Sequence, residues 1–338
     1  MNPAQWLVRT ALLTPQAPAL FKGAQLEADY AEFLHSVAAL AGGLRAQYGI
    51  SKGDRVAVFM SNCTEYLEAL YAIWFIGAVA VPINAKLHAK EAAWIIADAQ
   101  AELVFVTSNT GAGLQEVAPA CLKSLLDVQG RRFAQLRQQT PQPAPEVIGA
   151  DELLWLFYTS GTTGHPKGVM LTQDNLYSNV IATKSSLDVG ASDVALSFLP
   201  LSHIFERTGD YFLFANGVRI AYAESIDTVP VNMGEVKPTM MMSVPRLYEK
   251  IYARVVENAV AGGALKGRIF LWAKNVGERW ADEKLAGREP GGLLAMQYAL
   301  AQKLVFSKLK ERTGGNLRFF VSGGAPLSPE IAKFFYSA

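Results

Sequence analysis

The sequence predicts an α/β fold of mainly parallel βαβ sheets flanked by helices. Two observations carry that expectation. Short β-prone runs alternate with helical stretches through the first hundred residues, the pattern of βαβ units. Two apolar runs, before residues 159 and 323, end in Gly-rich turns, and a third delivers His203 just past its carboxyl end, where open α/β sheets place their chemistry. At 338 residues the chain exceeds the roughly 250–300 at which a single core stops growing, so at least two lobes are expected.

Residues 30–48 place Phe33, Val37, Leu40 and Leu44 at helical spacing, and Gly49 ends the run. Residues 55–60 read as a strand, and Asn62 with Glu65 three positions on resembles a capping box for a helix to about Phe75. Residues 78–83 and 103–107 read as strands around a helix at 90–99. The longest uncharged stretch, 69–85, contains Gly77 and Pro82 and falls short of the roughly 20 apolar residues that span a bilayer. A buried helix followed by a strand explains it. Residues 111–150 are the least regular. Arg131, Arg132 and Arg137 read there as a solvated face, and residues 140–146 as a proline-rich connector between lobes.

Thr172 is expected to cap a helix to about Lys184, and residues 193–199 to form a strand stopping at Pro200. Glu206 and Arg207 read as a pair. Residues 218–222 and 239–244 read as buried strands. Pro245 starts a helix whose Leu247, Ile251 and Val255 share one stripe beside Tyr248 and Tyr252, either core or one edge of an apolar pocket. Residues 263–313, rich in Lys and Arg, suggest two surface helices around 287–292. Interspersed acids favour a solvated face, with a membrane surface or phosphorylated ligand as the alternative. Ser328 and Pro329 open a last helix.

Composition narrows the function classes. Hydrophobic residues make up 51% and charged residues 18%, with a net charge of +1. That is a soluble globular balance, and it argues against nucleic acid as the main partner. Cys63 and Cys121 lack metal spacing and read as reduced, buried thiols. With no leader-like start, a cytoplasmic setting is expected.

The chemistry concentrates at residues 156–170. A β-prone run enters a loop of Thr159, Ser160, Gly161, Thr162, Thr163 and Gly164, Lys167 closes it, and an apolar strand resumes. Glycines let backbone N–H groups approach a ligand, successive N–H groups form an anion site, and the hydroxyls and Lys167 add donors and charge. That combination suits a polyphosphate. It is not a Walker A loop, because Pro166 precedes the lysine and Gly168 follows it. Gly323, Gly324, Ala325 and Pro326 form a second, flat turn able to face a base or sugar.

At this point the residues resemble a known family. Tyr158-Thr-Ser-Gly-Thr-Thr-Gly-His-Pro-Lys-Gly168 is similar to the phosphate-binding signature of the adenylate-forming (AMP-binding) superfamily, and Pro200-Leu-Ser-His-Ile-Phe-Glu-Arg207 to its next motif. Ser322-Gly-Gly-Ala-Pro-Leu327 is similar to its adenine segment. Residues 243–250 and 304–310 resemble the bacterial long-chain fatty acyl-CoA synthetase branch.

The resemblance implies a two-step ligase. A fatty acid carboxylate attacks the α-phosphorus of ATP to give an acyl-adenylate and pyrophosphate, and the thiol of coenzyme A then displaces AMP. It implies that residues 159–168 hold the β- and γ-phosphates with Lys167 as countercharge. A Thr162 or Thr163 hydroxyl would lie near Mg²⁺, His203 beside the carboxylate, and residues 323–326 against adenine. The family pattern continues with a Mg²⁺-binding glutamate, a ribose-binding aspartate and a lid domain carrying the adenylation lysine. The chain is therefore expected to be an incomplete N-terminal AMP-binding domain of two intertwined α/β lobes, joined near 140–150, with the C-terminal lid domain absent and no activity alone. Rival readings are an aryl or medium-chain acid–CoA ligase, an acyl-AMP ligase, and a non-catalytic nucleotide-binding fragment. Peripheral contact with the inner membrane face and a homodimer stay open.

Overall fold

The run at 55–60 is a strand over the same residues, in the interior of a sheet that organises the first half of the chain. The computed structural model describes residues 2–159, 165–223 and 226–338. Its strands are β1 Pro18–Lys22, β2 Gln25–Asp29, β3 Arg55–Met60, β4 Val79–Asn84, β5 Leu103–Val106, β6 Ser124–Asp127, β7 Leu153–Thr159, β8 Lys167–Thr172, β9 Val194–Ser197, β10 Arg219–Tyr222, β11 Met240–Ser243 and β12 Phe319–Ser322. The chain divides into two units, Met1–Ile226 and Asp227–Ala338.

In the first unit one sheet runs β6-β5-β3-β4-β7-β8. It is parallel except for β8, which pairs antiparallel with β7. In the same unit β9, β10 and β1 lie parallel and β2 returns antiparallel to β1. The mainly parallel α/β expectation holds. In the second unit β11 and β12 are parallel, with Ser243 opposite Ser322.

The helix Tyr30–Tyr48 starts at an Asp29–Glu32 capping box and ends at Gly49 in the left-handed conformation, with Phe33, Val37, Leu40 and Leu44 buried. The helix Thr64–Ile76 buries every residue except Glu65. Its Trp74 packs edge-on to Trp155 of β7, ring centres 5.0 Å apart, and to Tyr211 at 5.1 Å. In the second unit Tyr252 and Val255 pack against a core of Phe270, Ala273, Val276 and Phe334. The 247–255 stripe is therefore core rather than a pocket edge.

Four expectations are corrected. The Asn62–Glu65 capping box does not form: Cys63 is the N-cap, without a side-chain cap, and the Asn62 amide is bonded elsewhere. Arg137 is not merely solvated but ion-pairs with the buried Glu68, whose placement in the core demands a partner. Both cysteines are free but only half-buried. Residues 140–146 do not bridge the two units but lie within the first, strapped over its helices. Gln142 N donates to Ala38 O (2.9 Å), Glu146 N to Phe75 O (2.8 Å), and Glu146 meets Arg45 at 2.7 Å.

The strap crosses Gly42 so closely that a methyl group there would collide with the Thr140 carbonyl. Gly42→Ala should destabilise the fold by about 1–3 kcal/mol, the usual magnitude for overpacking, measured by urea unfolding, despite alanine's better helix propensity.

Candidate active site

The antiparallel β7–β8 ladder ends with Thr159 opposite Lys167, so the two feet of the Gly/Thr loop stand side by side. Thr159 and Lys167 are exposed, and no described carboxylate pairs with Lys167. Ser160, Gly161, Thr162, Thr163 and Gly164 lie outside the described residues. Gly168 has a local cause: a Cβ there would stand 3.0 Å from Leu156 and 3.2 Å from the Tyr158 ring of the facing strand.

The helix Ala89–Asp98 grips both feet. Tyr158 donates its hydroxyl hydrogen to Asp98 Oδ2 at 2.6 Å and sets its ring edge-on to Trp94. On the other foot, His165 stacks on Trp94 with ring centres 5.1 Å apart and planes 14° off parallel. Sequence reasoning missed Trp94 and Asp98. Residues about 60 positions upstream, on a helix with no motif, carry no local sign of this contact.

His203 lies beyond β9, at the N-cap of the helix Ile204–Ala215. Its exposed ring accepts a hydrogen bond at Nδ1 from Phe205 N (3.3 Å), and its own N–H donates to Pro200 O (2.8 Å). With Nδ1 engaged as acceptor, the neutral ring carries its proton on Nε2, which makes that nitrogen a donor suited to an anion. Ahead of it, the Asn62 amide clamps the turn: Nδ2 donates to Leu199 O (2.8 Å) and Leu201 N donates to Oδ1 (3.0 Å).

Below His203 the helix carries a fully buried charge cluster. Arg207 does not pair with Glu206, as expected from the sequence; it meets Asp210 at 2.8 Å, one helical turn on. Asp210 also accepts from the Tyr222 hydroxyl (3.1 Å), Glu206 accepts from Ser197 at the end of β9, and the guanidinium lies over the Tyr211 ring at 5.0 Å. Burial pushes the Asp210 carboxyl up to about 6, with Arg207 pulling the other way. Burial, reinforced by the Asp210 charge, holds Glu206 well above the usual carboxylate range. Burial alone would lower Arg207, but Asp210 together with Tyr211, Tyr222 and Tyr66 more than offsets it.

In the second unit, Gly323 N donates to Ser243 O (3.1 Å), extending the β11–β12 ladder by one bond. Gly324 then turns at φ +82°, a conformation that favours glycine. Gly324, Ala325 and Pro326 are exposed and present a flat backbone surface without bulk. Among the described residues, no cluster of His, Cys, Asp and Glu could hold a metal ion, and no helix is long and apolar enough to cross a membrane.

The buried cluster has a testable pH signature. Both carboxylates bind protons more tightly folded than unfolded, so their contribution is present at low pH and lost as pH rises through about 6 for Asp210. Arg207→Met should cost about 3–5 kcal/mol at pH 7.5, because it strands buried carboxylates. Urea unfolding at pH 5 should show a smaller loss, since protonation then removes the stranded charge.

The chain is 32% identical over 335 residues to the long-chain-fatty-acid–CoA ligase FadD15 of Mycobacterium bovis, covering 94% of this chain and 55% of that protein. It is 32% identical over 324 residues to the peroxisomal long chain acyl-CoA synthetase 6 of Arabidopsis thaliana, covering 88% and 44%. The chain thus spans about half the length of the relatives it matches. Among solved structures, the N-terminal domain of FACL13 from Mycobacterium tuberculosis superposes with a TM-score of 0.76 at 23% identity, over 99% of this chain and 73% of that one. That likeness speaks to the fold alone. The AMP-binding enzyme family matches residues 7–338, and the chain belongs to that family.

Proposed function

We propose that the chain forms the nucleotide- and acid-activating part of a long-chain fatty acid–CoA ligase. The observation that carries this reading is the 32% identity across 94% of the chain to a long-chain-fatty-acid–CoA ligase. The site geometry supports it. Lys167 and Thr159 stand together at the exposed end of a rigid hairpin, where the loop between them can wrap a polyphosphate. His203 offers an Nε2–H donor to a carboxylate.

On this reading ATP and a fatty acid give an acyl-adenylate and pyrophosphate, and coenzyme A then takes the acyl group. The first step brings an anion to a highly charged nucleotide, so charge neutralisation and alignment dominate its barrier. Residues 159–168 hold the β- and γ-phosphates, with Lys167 the countercharge. Thr162 and Thr163 supply the hydroxyls that would meet Mg²⁺, an ion that screens phosphate charge. Gly323, Gly324, Ala325 and Pro326 flank adenine. His203 fixes the acid and stabilises its carboxylate as it approaches phosphorus.

The membrane alternative gains a specific surface. Leu293, Met296, Leu300 and Leu304 form an exposed apolar stripe at helical spacing, with Lys303 and Lys308 exposed beside it. That face suits an anionic lipid surface, where a fatty acid substrate partitions. A homodimer has no comparable support.

Three measurements test these assignments. In the full-length protein, Lys167→Ala should lower fatty-acid-dependent ATP–pyrophosphate exchange about 10²-fold or more while leaving the melting temperature unchanged, because the side chain is exposed. Testing acids of different chain length and aromatic acids, with and without coenzyme A, separates the long-chain reading from its rivals. Met296→Asp with Leu300→Asp should markedly weaken cosedimentation with phosphatidylglycerol vesicles.

A further inference from the structure

Asn62 falls outside every motif that points to nucleotide chemistry, and the helix start that the sequence suggests for it does not use its side chain. Its amide instead reaches across 137 residues to the turn that carries His203. Both ends of the amide are engaged. Nδ2 donates to Leu199 O at 2.8 Å, and Oδ1 accepts from Leu201 N at 3.0 Å. The two bonded groups flank Pro200, which has no N–H and cannot continue a ladder. The amide thus closes a ring across the turn that follows β9. From there Pro200 O accepts from His203 N (2.8 Å) and His203 O from Arg207 N (3.1 Å), so an unbroken series of hydrogen bonds runs from Asn62 into the first turn of the histidine's helix.

The other end of this connection is equally fixed. Asn62 follows β3 by two residues, and β3 lies inside the same sheet that ends in β7 and β8, the two strands carrying the feet of the Gly/Thr loop. One sheet therefore carries the loop feet directly and meets the histidine turn through the Asn62 amide. We infer that Asn62 is a positioning residue for His203, holding that imidazole in register with the polyphosphate grip. This inference rests on the proposed role of His203 beside the acid carboxylate. Asparagine supplies both the donor and the acceptor that this geometry uses. Aspartate keeps the acceptor for Leu201 but turns the donor into a charge facing the Leu199 carbonyl, and alanine leaves both backbone groups without this partner.

The test uses the full-length protein with Asn62→Ala, Asn62→Asp, His203→Ala and the double variant Asn62→Ala/His203→Ala. Hydrogen exchange at the Leu201 amide reads the clamp itself, and ATP–pyrophosphate exchange reads its consequence. Asn62→Ala should speed Leu201 exchange at least ~10-fold. It should also lower kcat/KM for the acid ~10-fold while KM for ATP stays within ~2-fold. In the His203→Ala background the same change should cost less than ~2-fold, because no imidazole remains to be positioned. Asn62→Asp should retain part of the Leu201 protection and sit between wild type and Asn62→Ala. Unchanged Leu201 exchange would overturn the clamp, whatever the kinetics. So would full additivity with His203→Ala, or equal losses toward ATP and acid with a lowered melting temperature, since both describe a generally weakened fold. If exchange at Leu201 rises but His203→Ala alone leaves acid activation intact, the role of His203 fails first and the positioning role falls with it.

Discussion

The helix Thr64–Ile76 imposes the constraint on which the rest of the first unit depends. It has no solvent face: apart from Glu65 every residue is buried, and the helix touches β3 and β4 on one side and β1 on another. A helix buried on nearly every face is stable only when covered on all sides, so strands of both sheet systems close over it. Trp74 anchors that closure against Trp155 of β7 and Tyr211 of the helix that His203 starts. The strand feeding the Gly/Thr loop and the helix carrying the histidine thus pack on one indole, whose truncation would forfeit about 3–5 kcal/mol.

Polar interactions then fix what the apolar core leaves free. Burying Glu206, Arg207 and Asp210 opposes folding, because desolvating each charge costs several kcal/mol. Pairing wins only through the Arg207–Asp210 contact and the hydroxyls of Ser197 and Tyr222. Such a cluster adds little net stability, but it ties the helix Ile204–Ala215 to the ends of β9 and β10 in one register. The Trp94–His165 stack does the same for the loop at lower cost, since both rings keep contact with water.

What was legible in the sequence was whatever is encoded locally. The helix at 30–48 with its Gly49 stop, the strand at 55–60 and the Thr172 cap appear where periodicity and capping chemistry place them. The run at 159–164 stands out because six turn-forming residues in a row exceed what a hairpin needs, and the strands expected on either side of it are β7 and β8. What failed depended on distant partners. Asn62 looked like a cap because Glu65 lies three residues on, but its partners are at 199 and 201. Arg137 looked solvated because Glu68 is 69 residues away. The prolines of 140–146 looked like a linker, yet backbone bonds to Ala38 and Phe75 hold them on the core. β6 was missed because its four residues gain strand character only by pairing with β5.

The central claim is that the β7–β8 hairpin holds the polyphosphate of ATP while the sheet beneath keeps His203 in register with it. A crystal structure of the full-length protein with ATP and a non-reactive fatty acid analogue tests this most directly. The account predicts β- and γ-phosphate oxygens within hydrogen-bond distance of the residue 160–164 amides and of Lys167 Nζ. His165 should still be stacked on Trp94, and His203 Nε2 should face the acid. A nucleotide bound away from the hairpin, or an acid group out of reach of His203, would contradict it.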